Sequence, residues 1–130
     1  MRVFFVGLHY KPNMKALDSR TISGKRIDMI INQLSEGVEA VKTNFYGSNY
    51  EIEAGHGNDE YYTNLWQRVY QPLETDVIFL LGGKVSKRFL LKHNGVVLYA
   101  HPSKVMSKIE VAEYVRNAVE IVKNNVKELA

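Results

Sequence analysis

The sequence predicts an α/β fold: a three-layer α/β/α sandwich with a central four-stranded parallel sheet. Three observations predict it. Four β-type segments alternate with four helical patterns along the 130 residues, which implies crossover connections and parallel pairing. One segment, DVIFLL at residues 76–81, is nearly all apolar, as a strand covered on both faces must be. Hydrophobic residues make up 45% of the chain, enough for one packed core at this length. No repeat, low-complexity run or linker interrupts the pattern, so residues 1–130 read as one domain.

Each element follows from local chemistry. Residues 2–6, RVFFV, are branched and aromatic and stop at Gly7. Residues 24–35 carry Ile27, Ile30, Ile31 and Leu34 at helical spacing, with Ser23 in the N-cap place. Residues 39–45, EAVKTNF, alternate weakly as a second strand. Residues 47–59 are rich in Gly, Asn and Ser and read as a loop. Residues 60–70 read as a helix with Tyr61, Leu65 and Val69 on one face, and Pro72 lies just beyond it. After the third strand, 76–81, Gly82-Gly83 turns the chain into a short helix over 84–92. Asn94-Gly95 turns it into a fourth strand, 96–100. Residues 107–129 form a long amphipathic helix whose apolar stripe includes Ile109, Ala112, Val115, Val119 and Val122.

Composition removes several function classes. Cysteine is absent, which excludes disulfides, thiolate zinc sites and cysteine-ligated iron–sulfur clusters. His56 and Asp59 share a loop, but two donors do not make a metal site. No metal or cofactor is expected. The opening MRVFFVGLHY has too short an apolar stretch for a signal peptide and no small-residue cleavage site. No apolar run approaches the ~20 residues that span a bilayer. A cytoplasmic protein without a membrane partner is expected. Lys and Arg total 17 against 14 Asp and Glu, a net charge of +3, which tolerates a polyanionic partner without demanding one. Gly82-Gly83-Lys84 with Ser86 lacks the upstream glycine of a phosphate loop. Tyr61, Tyr62 and Trp66 read as helix packing rather than a stacking platform. Lys123 and Lys127 read as a solvated helix face.

In parallel sheets ligands bind beyond the carboxyl ends of the strands. That rule selects residues 7–13, 44–48, 82–84 and 101–104. Gly7 lets the backbone turn, so that His9 and Tyr10 face the crevice. Asn44, followed by Phe45 and Tyr46, offers an amide that both donates and accepts, which suits a base edge. His101 can donate to an oxygen that gains negative charge. Pro102 restrains the backbone, and Ser103 can reach a phosphate. The group suits a planar heterocycle on a sugar-phosphate chain. The plainer alternatives are that His101 caps a turn and that Asn44 is a turn-forming amide.

Five stretches occur in order: GLHYKPN after the first strand, TISGKRIDMII at the first helix, KTNF at the second strand, DVIFLLGGKVSKRF, and AHPS after the last strand. Together, over almost the whole chain, they resemble the motif order of the uracil-DNA glycosylase superfamily. The set carries the resemblance, not any one motif. The resemblance implies that a nucleotide is flipped from DNA, single-stranded or duplex, into a pocket. Its glycosidic bond would break through a cation-like sugar, with the base leaving as an anion. His101 would hydrogen-bond the departing oxygen, and Asn44 would read the Watson–Crick edge. Ser103, Lys104 and Lys84 would meet the DNA backbone. His9 would take the place of the water-positioning residue. There the family usually has a carboxylate or an amide, and Tyr10 replaces the usual proline. Residues 17–21 hold no aromatic on which a base could stack, which leaves Tyr10, Phe45 and Tyr46 as candidates.

Three functions stand open from the sequence. The first is a glycosylase removing uracil or a related base. The second is a degenerate glycosylase fold that binds nucleic acid or a base without turnover. The third is a different enzyme acting on a nucleotide-like small molecule.

Overall fold

The computed structural model describes residues 1–9, 11–46 and 58–129, with side chains described to residue 126. Tyr10, His56 and most of the loop expected over residues 47–59 lie outside the described residues. The strands are β1 (Arg2–Gly7), β2 (Glu39–Asn44), β3 (Val77–Leu81) and β4 (Val96–Tyr99). The helices are α1 (Ile22–Ile31), α2 (Asp59–Tyr70), α3 (Gly83–Arg88) and α4 (Lys108–Leu129). The sheet is four-stranded and parallel throughout, in the order β2-β1-β3-β4. This is the α/β architecture expected.

Strand alternation divides the core. Val3, Phe5, Val77, Phe79 and Leu81 face α1 and α4, meeting Ile27, Ile30, Tyr114, Val115, Ala118, Val119 and Val122. Phe4, Val6, Ile78 and Leu80 face the other way, against Tyr62 and Trp66 of α2, Val85 of α3, and Phe89. Because both faces of β1 and β3 are covered, neither strand can alternate with polar residues. Phe4 meets Trp66 edge-on at 5.2 Å, and Phe5 stacks on Phe79 at 5.3 Å. The Trp66 indole N–H is buried and donates to Thr43 Oγ1 at 3.0 Å.

Several element details differ from expectation. Thr21, not Ser23, caps α1, because its hydroxyl accepts from Gly24 N at 3.0 Å while donating to Asp18 O at 2.7 Å. α1 ends at Ile31, and tighter turns close on Ile30 and Ile31. α2 turns a different face inward: Tyr62, Thr63 and Trp66 are buried, while Tyr61 and Val69 are 55% and 63% exposed. The rings of Phe4 and Phe89 both seat on Trp66, which sets that rotation. α3 stops at Arg88, because Phe89 turns extended into the core and Leu90 N donates to Thr63 Oγ1 instead of continuing the helix. In α4 the stripe begins a turn later than expected. Ile109 is 73% exposed and Ala112 is exposed, and Tyr114 and Ala118 replace them beneath the sheet. Asp76 precedes β3 as a buried cap, accepting from Arg2 N and Leu73 N at 2.8 Å and pairing with the Arg2 guanidinium at 3.2 Å. Among the described residues no helix is long and apolar enough to cross a membrane.

Candidate functional site

The strand order fixes where a crevice can form. From β1 the chain crosses to β2 on one side, and from β3 to β4 on the other. The loops leaving β1 and β3 therefore diverge, at the switch point where ligands bind in such sheets. A cavity of about 140 Å³ opens there. Gly7, Leu8 and His9 line it from β1 and just beyond, Asn44 from the end of β2, and His101 from beyond β4. Lys11, Met14, Lys15, Leu17 and Asp18 close one wall, and Thr21 and Ser23 at the start of α1 complete it. His9, Asn44 and His101, remote in sequence, thus share one hollow.

Register places Asn44 opposite Gly7. A Cβ on residue 7 would lie 2.7 Å from Asn44 Oδ1, so the close approach of this amide requires glycine. Asn44 is only 9% exposed, and its Nδ2 is buried without a hydrogen-bond partner among the described residues. An unmet donor of this kind is costly unless something else meets it.

His101 is held in one tautomer. Its Nδ1 accepts the backbone N–H of Ser103 at 3.1 Å and lies 2.7 Å from the Ser103 hydroxyl. A nitrogen that accepts an amide N–H carries no proton, so the proton sits on Nε2. Burial, then the Lys84 and Lys11 cations, lower the His101 pKa below its ordinary value. His9 is lowered by the same causes in the same order. Both shifts favour the neutral imidazole, although the two residues are exposed overall. The His101 ring rests on Gly82, where a Cβ would come within 3.1 Å of it.

The wall over residues 11–21 is built against backbone preference. Asn13 and Leu17 have left-handed φ values of 59° and 47°. Lys42 Nζ donates to Leu17 O at 2.8 Å and pairs with Asp28 at 2.6 Å, holding the strained turn. Gly24 lets this wall settle on α1, since a Cβ there would meet Asp18 O at 1.9 Å. The Asp18 carboxylate accepts from Arg20 Nε and Nη2, Arg20 N and Lys15 N. The Arg20 guanidinium first, with these backbone bonds, holds its carboxyl well below the usual range.

Other expected site residues fall elsewhere. Phe45 and Tyr46 do not line the cavity. They are buried in the aromatic cluster behind the sheet, with Tyr62 and Phe89, because Phe45 N and Tyr46 N keep pairing with Gly7 O and Leu8 O past the end of β2. Ser103 is exposed, its N–H donates to His101 Nδ1, and its hydroxyl lies 2.7 Å from the same nitrogen. Lys84 does not line the cavity but is close enough to act on both imidazoles. Lys104 is exposed. Tyr10 lies outside the described residues.

Sequence reasoning placed Lys11 in the selected 7–13 stretch but did not single out Met14, Lys15, Leu17 or Asp18 on the wall, nor Lys42 behind it. An Asp-Ser-Arg run ahead of a helix carries an Asx-turn signal that marks Asp18. Nothing local marks Lys42. Among the described residues no cluster of His, Asp and Glu could hold a metal ion. No protein-family model, curated protein or solved structure matches the chain.

Proposed function

We propose that this protein is a DNA glycosylase that hydrolyses the N-glycosidic bond of uracil or a related single-ring base. The observation that carries the reading is the convergence of His9, Asn44 and His101 on one small hollow at the switch point, with the Asn44 amide nitrogen unmet among the described residues. Size supports a single ring. The hollow of about 140 Å³ is close to the roughly 150 Å³ cavity known to accept benzene, and well below drug-sized pockets.

The chemistry follows from which groups on the wall can donate and which can accept. A nucleotide leaves the stack and its base enters the hollow. Asn44 Nδ2 donates to a ring carbonyl and Oδ1 accepts a ring N–H. The bond from C1′ to the base nitrogen breaks, and its electron pair stays on the base. Neutral His101 donates from Nε2 to the oxygen that gains this charge. Neutral His9 accepts a hydrogen bond from water, whose oxygen bonds to C1′, and the released proton balances the departing base. Met14 and Leu17 offer apolar contact where no aromatic among the described residues lines the cavity. Lys11, Lys15 and Lys84 supply positive potential for phosphates.

One observation favours a second reading, base binding without turnover. Among the described residues Asp18 is the one acid on the cavity wall, and Arg20 already pairs with it. A sugar cation would form among lysines, with the wall's carboxylate already engaged. A duplex with one U:G mismatch, incubated with the protein and then with alkali, decides between them. Strand cleavage that falls in His9→Ala and His101→Ala supports the enzyme. Salt-dependent binding of uracil-containing DNA without cleavage supports the binder. Neither result on any oligonucleotide rejects both.

A further inference from the structure

The loop carrying His101 has no regular secondary structure, yet two helices tie down its backbone. Tyr114 of α4 donates its hydroxyl to Ala100 O at 2.6 Å. Arg26 of α1 donates from a single nitrogen, Nη1, to Pro102 O and Lys104 O, each at 2.8 Å. Lys104 N returns to His101 O at 3.0 Å. Between the two carbonyls held by Arg26 lies Ser103, whose N–H and hydroxyl both engage His101 Nδ1.

We propose that Arg26 is the positioning residue that sets the tautomer and orientation of His101. The link is one peptide unit. Pro102 C=O and Ser103 N–H belong to the same rigid plane and point in opposite directions. Holding the carbonyl from α1 aims the N–H at His101 Nδ1. A cationic donor on that carbonyl also polarises the unit and strengthens the N–H on its far side. Nδ1 is thereby kept as the acceptor, and Nε2 keeps the proton. Pro102 adds stiffness, since its ring restricts rotation about its own N–Cα bond. Arg26 does not line the cavity, so it acts only through the loop. What His101 does with its Nε2 proton rests on the proposed function. The tie itself does not.

The test is nitrogen-15 NMR of the histidine rings in the full chain, wild type beside Arg26→Ala, Arg26→Gln and Arg26→Lys. Wild type is expected to show His101 as the Nε2–H tautomer. Arg26→Ala is expected to give a mixture of tautomers and a changed His101 titration, with His9 unchanged. Arg26→Lys is expected to restore the wild-type signature in part, because an ammonium can still reach one carbonyl. On a uracil-containing duplex, Arg26→Ala is expected to lower kcat by about ten- to a hundredfold with KM nearly constant. Unchanged His101 tautomer and titration in folded Arg26→Ala would overturn the proposal, whatever the melting temperature does. Should that variant not fold, the same ring spectra of Arg26→Gln decide the matter, because the amide is a neutral donor with a shorter reach. A wild type without glycosylase activity sinks the proposed function, yet the ring spectra still decide the role of Arg26.

Discussion

Replacing Gly7 with alanine sets a methyl carbon 2.7 Å from Asn44 Oδ1. To regain ordinary contact at 3.4 Å the amide oxygen must retreat by roughly 0.7 Å. Nothing else is crowded, since Leu17 Cδ2 lies 3.5 Å away and Thr43 O 3.8 Å. Gly7 is not among the residues with a left-handed φ, so alanine fits its backbone. Reduced freedom of the unfolded chain stabilises such a variant by about 0.4–1 kcal/mol. An off-rotamer Asn44 costs about 0.5–1.5 kcal/mol. The two nearly cancel, so the melting temperature is expected to stay within about 4 °C for a chain of this size. The site fares differently. Under the proposed function Asn44 reads the base, and a reading group displaced by close to 1 Å loses up to about a hundredfold in rate. The assay pairs thermal melting with uracil excision and with the Asn44 side-chain amide signal during titration with free uracil. In wild type that signal is expected to shift, and in the variant the shift is expected to shrink at least severalfold. A melting temperature more than about 8 °C lower would refute the reasoning, because it would mean the amide has no room to move. So would a normal Asn44 response to uracil in the variant.

Other outcomes follow from the same geometry. Lys84→Ala removes a cation that lowers the pKa of both His9 and His101, so both midpoints are expected to rise toward the ordinary histidine value. Any activity that needs neutral rings is then lost at higher pH during acidification, which a pH–rate profile and NMR titration both read. Thr43→Val strips the buried Trp66 indole of its acceptor and is expected to cost about 1–3 kcal/mol in chemical denaturation, with the site intact. Asp76→Ala leaves Arg2 N and Leu73 N without their acceptor and unpairs Arg2, at the end of the sheet remote from the cavity. A loss of about 3 kcal/mol, near 12 °C in melting temperature, is expected, again without change at Asn44 or His101 by NMR.

Legibility differed between the fold and the site. The buried strands showed themselves because RVFFV and DVIFLL leave no polar face, which only a sheet covered on both sides permits. His9, Asn44 and His101 were findable because the strand-end rule needs only a strand and its last residue. The rotation of α2 was not findable. Tyr61, Leu65 and Val69 and the alternative Tyr62 and Trp66 are both helical stripes, and choosing between them takes the rings of Phe4 and Phe89. Phe45 and Tyr46 misled for a related reason. An aromatic after a strand can face a crevice or a core, and continued pairing with β1 sent both to the core.

The amino-acid order alone determined that this chain makes a parallel sheet, and it marked the residues that end each strand, because periodicity and apolar runs are properties of neighbours along the chain. Only the tertiary structure decided that three of those ends enclose one hollow, that Gly7 exists to admit an amide, and that Arg26 reaches across 76 residues to hold Pro102. Those contacts depend on strand order and helix rotation, which long-range packing sets and no local window contains.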